Sequence, residues 1–442
     1  MNTHWKLPFG LGLCACITLP ASAADPSSLW GTGDWGGARS ELLEKGVDVI
    51  VGYTGEAATN LHGGYNDDRT ARYTAQWALG THLDLHKLLG WNDAEFQLLV
   101  TERNGNNLSN DRVADPRTGQ LSSVQEVWGR GQTWRLTQMW FRQQFLAGAL
   151  DLKLGRLGVN EDFNSFPCDF QSLAFCSAPI GNVAGDVWYS GPVSQWGVRA
   201  KYNINPQWAV QIGVYDQNPS NLDTDNGFKL SGSGTKGALV PVEIIWKPTL
   251  GEALSGEYRL GYYRSSAHAN DVYDDVNDLP QGLTGQAPQS RSSKHGAWIM
   301  GQQQLTTHHG DAARGLSIFA SLTVHDRATS SIDNFQNLGF VYKGPFDSRP
   351  KDDIGIGVAR IHVNNDVAKR EAQINSSNAV DDYDNPLYVP VQRTEYDVEL
   401  NYGVHVTNWL TVRPNLQYVR HPGGVYEVAD ALVGGVKLQA SF

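Results

Sequence analysis

Apolar and polar residues alternate right up to the last position of the chain. In ALVGGVKLQASF, residues 431–442, Leu432, Gly434, Val436, Leu438, Ala440 and Phe442 share one face, and Val433, Gly435, Lys437, Gln439 and Ser441 share the other. A period of two marks a β-strand with two unlike faces. Chain ends are usually frayed and solvated, so an apolar face kept as far as Phe442 needs something to lie against. The same pattern recurs upstream. QWGVRAKYNI, 195–204, puts Trp196, Val198, Ala200, Tyr202 and Ile204 on one side, and it restarts after Asn205-Pro206-Gln207 with Trp208, Val210, Ile212 and Val214. EYDVELNYGVHV, 395–406, alternates Tyr396, Val398, Leu400, Tyr402, Val404 and Val406 with Glu395, Asp397, Glu399, Asn401, Gly403 and His405. Thr407-Asn408 then turns into Leu410, Val412, Pro414, Leu416 and Tyr418.

Similar runs begin near Val47, Tyr73, Ala94, Met139, Leu150, Val240, Tyr258, Ala297, Leu316, Leu338 and Ile354, which brings the count to 16 strands. The pattern is weakest around 134–147, 297–305 and 335–343. The connections sort by length. Asn205-Pro206-Gln207, Thr407-Asn408, Gly344-Pro345-Phe346 and Lys87–Trp91 are tight, whereas 102–133, 159–194, 216–237, 265–294 and 364–393 are long and polar. Tight turns on one side and long loops on the other predict an all-β fold, a 16-stranded antiparallel transmembrane barrel, at about 26 residues per strand and connection. Charge placement agrees. Arg199 and Lys201 share the polar parity of their strand; a slip of one residue would turn both toward lipid, at about 2–4 kcal/mol each near the midplane. Closure also removes sheet edges that hydrocarbon could not satisfy, which pairs the last strand with the first and turns Phe442 to lipid at the rim. A terminal aromatic of this kind also resembles the signal read by barrel-assembly machinery.

The first residues supply the compartment. Lys6, an apolar run Leu7–Leu19, Pro20 and Ala21-Ser22-Ala23 have the order of a secretory signal peptide over 1–23. The run is too short to span a bilayer as a helix. A lipoprotein reading centred on Cys16 is opposed by the apolar sequence that continues past it. An N-terminal segment, 24–46, follows, in which Ala38–Lys45 suit a short periplasmic helix ended by Gly46; the barrel occupies 47–442. With the signal removed, 34 basic residues face 46 acidic ones, which excludes a basic nucleic-acid binder. Cys168 and Cys176 then remain as an even pair in an oxidising compartment and read as one disulfide stapling a loop. A redox motif would need closer spacing, and two cysteines make a poor metal site.

At Gly33-Asp34-Trp35-Gly36-Gly37, Arg39, Leu42 and Gly46 the chain resembles the opening of the carbohydrate-selective porins, the OprB family of Gram-negative bacteria. Further resemblances are NLHGGYNDD (60–68), SSVQEVWGRGQTWRLTQMW (122–140), EDFNSFPCDFQSLAFC (161–176), PVSQW (192–196), QNPSNL (217–222), GFKLSGSGTKGALVPVE (227–243) and YVRHPGG (418–424). They cover the whole exported chain and imply an outer-membrane channel for glucose and related sugars, in contact with lipid and lipopolysaccharide, with a homotrimer as one possible assembly.

The polar parities expected to line the lumen carry both signs: Arg199, Lys201, Glu243, Lys247, Glu257, Arg259, Asp397, Glu399, Arg413 and Lys437. An anion channel would concentrate cations and a cation channel carboxylates. Mixed charge suits a neutral polyol, whose hydroxyls donate and accept; a general or ion-selective porin is the alternative. By analogy with porins, 159–194, with Phe163, Phe166, Phe170, Phe175, Trp188 and Tyr189, should fold inward and constrict the barrel. The other long segment supplies Glu102, Arg103, Arg112, Glu126, Arg130 and Arg135. The expected eyelet has Arg103, Glu126 and Arg135 gripping hydroxyls, Trp188 or Trp134 facing a pyranose ring, and Asp169 nearby.

Other motifs point nowhere further. Gly232–Gly237 matches G-x-G-x-x-G but is followed by a strand. Asp223 and Asp225 lack the spacing of a Ca²⁺ loop. His308-His309 falls in a short turn and is expected to be solvated. No G-x-S-x-G or H-E-x-x-H is present, so neither an enzyme nor a cofactor is expected. A non-conducting structural barrel is the remaining class.

Overall fold

The computed structural model of the protein describes residues 28–442, apart from 166, 177 and 252. The signal peptide of 1–23 lies outside the described residues. Sixteen strands form the barrel: β1 Val47–Gly64, β2 Ala71–Asp84, β3 Ala94–Gly105, β4 Trp134–Phe145, β5 Leu150–Leu157, β6 Gln195–Asn203, β7 Trp208–Gln217, β8 Gly237–Trp246, β9 Leu254–Ser265, β10 Lys294–Gln304, β11 Gly315–His325, β12 Ile332–Lys343, β13 Asp353–Val363, β14 Thr394–His405, β15 Leu410–Arg420 and β16 Ala429–Ser441. Each pairs antiparallel with its chain neighbours. The ring closes where β1 meets β16, from Gly52 opposite Ser441 to Thr59 opposite Gly434.

The outward parity is apolar and uncovered. Val198, Ile212, Val214, Leu260, Ile299 and Leu400 are each about half exposed. An apolar band running round a whole molecule would be untenable in water; in hydrocarbon it is the expected surface. No helix among the described residues is long and apolar enough to cross a membrane. An aromatic belt rings the end that carries both termini and the tight turns. Trp208 stacks on Trp246 at 5.5 Å, Trp246 meets Tyr258 at 5.2 Å, and Tyr53–Trp77 (4.6 Å) leads to Trp77–Phe442 at 5.7 Å. Such amphipathic rings suit the level of the headgroups.

The N-terminal segment packs under this seam. Helix α1, Ala38–Glu44, ends as Gly46 takes a φ of 94°, a left-handed backbone that glycine adopts without penalty. Arg39 is buried; it donates to the carbonyl oxygens of Val49 on β1 (2.6 Å) and of Phe442 (2.5 Å), and its guanidinium lies over Trp30 at 4.2 Å. The helix thus pins the first strand and the last residue together.

At the opposite end the long connections have structure of their own. A helix, Asn365–Ser377, packs beside a loop hairpin made of Ala269–Asp275 and Pro288–Arg291. The sequence of these segments predicts only polar loops there. Asn364 caps the helix by accepting from the amide of Asp366 at 3.0 Å. Arg117 donates to the Tyr383 carbonyl oxygen at 2.9 Å and ties the β3–β4 loop to the segment after this helix.

Arg39→Ala should lower barrel stability by about 1–3 kcal/mol, the usual cost of leaving buried acceptors unmet, read from the urea midpoint of the micelle-bound protein. On the helix Asn365–Ser377, burial pushes the Glu371 carboxyl up to about 7, only partly offset by the Gln392 amide that donates to it at 2.8 Å. An undocked loop returns the group to its ordinary value, so docking is strongest at acid pH and weakens as pH rises toward 7. Hydrogen exchange, corrected for intrinsic rates, should show the helix losing protection over that range, and Glu371→Gln should abolish the change.

Candidate functional site

The inner wall is largely covered by chain that folds into the lumen. The β5–β6 connection, 158–194, turns inward and buries Phe163, Ile180, Val187 and Trp188 against Tyr215 of β7, Tyr263 of β9 and Trp298 and Met300 of β10. Further along, Phe170 and Phe175 pack on Phe319, Phe335 and Ile361 of the facing wall. Burying a phenylalanine contributes about 1.5–3 kcal/mol, so this loop is glued apolar side down. Gly357 of β13 makes room: a Cβ there would sit 2.8 Å from the Phe175 ring. The Cys168–Cys176 disulfide closes the tip.

Backbone amides brought inside need acceptors, and inward carboxylates supply them. Glu243 accepts from the amide of Asn164 (3.0 Å) and from the Trp298 indole (2.9 Å). Glu399 accepts from the amides of Gln171 (3.0 Å) and Ser172 (2.6 Å). Glu56 of β1 accepts from Val127 at 3.2 Å, and Glu395 from Ser122 (2.9 Å) and Gly423 (2.6 Å). Lys437 of β16 is fully buried, donating to Glu126 (2.9 Å) and to the Phe170 carbonyl oxygen (2.8 Å).

The expected eyelet is only partly assembled. Arg103 points inward from β3, where its Nε donates to Gln76 at 2.7 Å and its terminal nitrogen to the Gly129 carbonyl oxygen at 3.2 Å. Glu126 pairs with Lys437. Arg135 is buried, its donors spent on the carbonyl oxygens of Arg130 (2.8 Å), Asn221 (2.9 Å) and Leu222 (2.9 Å). Arg135 therefore braces two loops instead of meeting solute. Trp188 is a correction: it is fully buried, edge-on to Tyr263 (5.6 Å) and Trp298 (5.5 Å), with no face left for a sugar. Trp134 is another. Its strand partner is Glu102, on the parity opposite to inward-facing Thr101 and Arg103, so it points out of the barrel, about half exposed. Half-buried Asp169 borders a cavity of about 510 Å³ between the loop tip and β8–β12, across from Lys247, Glu257 and Gln302.

On β14 and β15, Asp397, Glu399 and Arg413 are all buried; Arg413 pairs with Asp353 and donates to Asn401 at 2.9 Å. The other wall carries its charges in an alternating, paired ladder. Arg142 of β4 reaches Glu95 (3.0 Å) and Asp151 (2.7 Å). Arg199 reaches Asp151 (2.7 Å) and Asp162 (3.3 Å). Lys153 joins Asp162 (3.2 Å) and Glu161 (2.9 Å), with its ammonium 4.5 Å above the Trp140 ring. Arg259 spans Glu243 (3.0 Å) and Glu257 (2.6 Å), and Lys247 meets Glu257 at 3.0 Å. Most of these groups surround a cavity of about 300 Å³. Lys201 also lines it, and among the described residues no carboxylate lies within ion-pair distance of its Nζ.

Arg199, Lys201, Glu243, Glu257 and Arg259 were expected on this wall. Trp140, Arg142, Asp151, Lys153, Glu161 and Asp162 were missed. The first four had a usable signal, since they share the inward parity of MWFRQQF and LDLKLGRL. Glu161 and Asp162 sit in a loop, where no period speaks.

A closed barrel with an apolar exterior, an infolded loop and a polar, doubly charged lumen defines an outer-membrane porin. The chain belongs to a specific branch of that class: the pattern of the "Carbohydrate-selective porin, OprB family" matches residues 68–442, so the protein is a member of that family and a carbohydrate-selective channel of the outer membrane. It is 67% identical over 434 residues to Porin B of Pseudomonas aeruginosa, covering 98% of this chain and 95% of that one. It is 40% identical over 447 residues to the putative porin QuiX of Acinetobacter baylyi, covering 98% and 99%. The high-pH structure of Pseudomonas putida OprB superposes with a TM-score of 0.93 at 66% identity, over 94% of this chain and 99% of that one.

Glu399→Ala should test the mooring of the loop. It strands the amides of Gln171 and Ser172 at about 1–3 kcal/mol each, so the tip should detach and single-channel conductance in a planar bilayer should rise.

Proposed function

We propose that the channel passes glucose and related monosaccharides by passive diffusion, and that the ladder from Glu95 to Arg259 is the sugar track. The long loops face the exterior, and both termini with the tight turns face the periplasm. The alternation of charge around the 300 Å³ cavity carries the reading. Every cation there except Lys201 is already flanked by carboxylates, so the wall offers little net field to an ion. It still offers donors and acceptors side by side, which a polyol can use simultaneously. Lys201 supplies donors not committed to any carboxylate. Binding should be weak, since a dissociation constant near 1 mM, about −4 kcal/mol, still permits rapid release.

The outward parity supports contact with lipid and lipopolysaccharide, and the β16 strand ending in Phe442 supports recognition by barrel-assembly machinery. Glucose block of single-channel current tests the track. Lys201→Ala and Arg142→Ala should each weaken the block about 3–10-fold, the worth of one hydrogen bond. Unchanged block, with altered ion selectivity alone, would favour a general porin.

A further inference from the structure

The histidine pair that the sequence placed in a short turn acquires a third partner in the fold. His308 and His309 lie in the β10–β11 turn, closed by a bridge between His308 and Asp311, and Asp347 lies in the neighbouring β12–β13 turn, closed by a bridge between Phe346 and Arg349. The strands β11 and β12 pair, which sets the two turns side by side. His308 Nε2 is 3.1 Å from Asp347 Oδ1, and His309 Nε2 is 3.8 Å from Oδ2. One ligand atom from each of the three residues falls within 4.8 Å of the others.

We propose that His308, His309 and Asp347 form a binding site for a divalent transition ion such as Zn²⁺ at the rim that carries the termini. Two imidazoles and one carboxylate are the donor set of open zinc sites, with water completing the shell. Hard cations such as Mg²⁺ and Ca²⁺ want oxygens, and a single carboxylate serves them poorly. The surroundings fit as well. His308 Nε2 donates to Asp347 in the metal-free state, and the Tyr342 hydroxyl, 3.1 Å from Nδ1, is placed to accept from Nδ1–H when the imidazole proton moves there and Nε2 turns to the metal. Arg314 donates to Asp347 Oδ1 at 3.0 Å and to the Gly344 carbonyl oxygen at 2.8 Å. It holds the carboxylate from behind and leaves Oδ2 for the ion. His309 takes a left-handed backbone, φ 52°, that brings its ring to 4.4 Å from that of His308. On binding, the ion displaces the His308–Asp347 hydrogen bond and ties the two turns together.

Isothermal titration of the tag-free, full-length protein in micelles with Zn²⁺ near neutral pH tests this, with Co²⁺ absorption as a second readout. One saturable site per chain is expected, with the visible bands of Co²⁺ bound to nitrogen and oxygen. His309→Ala and Asp347→Asn should each weaken it more than about tenfold, and Tyr342→Phe by about tenfold, the usual cost of an outer-shell partner. His309 is largely exposed, so its variant should fold, with glucose-blocked conductance as the control. No saturable binding, or the same isotherm in His309→Ala, would overturn the proposal.

Discussion

The interior depends on carboxylates of the wall accepting hydrogen bonds from the backbone of loops that have left the aqueous edge. An inserted loop brings amides into a space where neither sheet nor bulk water serves them, and each buried amide without an acceptor costs about 1–3 kcal/mol. Glu56, Glu243, Glu395 and Glu399 solve this from three strands of the ring, β1, β8 and β14. Their own charges are covered in the same step, since an unpartnered carboxylate in that setting would be costly. Apolar contacts add adhesion, and the amide contacts give it register.

This arrangement divides the lumen. On the β13–β1 side, Glu399 and Lys437 are spent on groups of the inserted loops, and Arg413 is spent on Asp353 and Asn401 of the wall. On the β4–β9 side the charges pair with one another along the wall and keep contact with the remaining space. A position on the polar parity is therefore not by itself a position on the solute's path.

That distinction is what the sequence does not display. Period two identifies strands because side chains alternate strictly across the sheet, and runs such as QWGVRAKYNI and EYDVELNYGVHV therefore mark β6 and β14 correctly, with 16 strands in all. The same rule separates inside from outside, but it cannot tell a wetted inner face from one roofed by a loop. Trp188 and Arg135 were expected at the aperture on composition and are instead spent on packing and on loop carbonyl oxygens. Trp134 was expected there on the same ground, but it belongs to β4, opposite Glu102 and beyond the register irregularity at Leu99–Val100, and points outward. Asp347 lies 38 residues beyond His309, and only the pairing of β11 with β12 makes them neighbours.

The 158–194 loop is moored to the wall at widely separated places. It is fastened at Asn164 to β8 and at Ser172 to β14, strands that stand six places apart around a ring of sixteen. Chain held at two distant points of a hoop acts as a strut: squeezing the hoop toward an ellipse must stretch or buckle it. A tie of this kind resists deformation of the cross-section by the surrounding bilayer, so the loop that narrows the lumen also braces its outline.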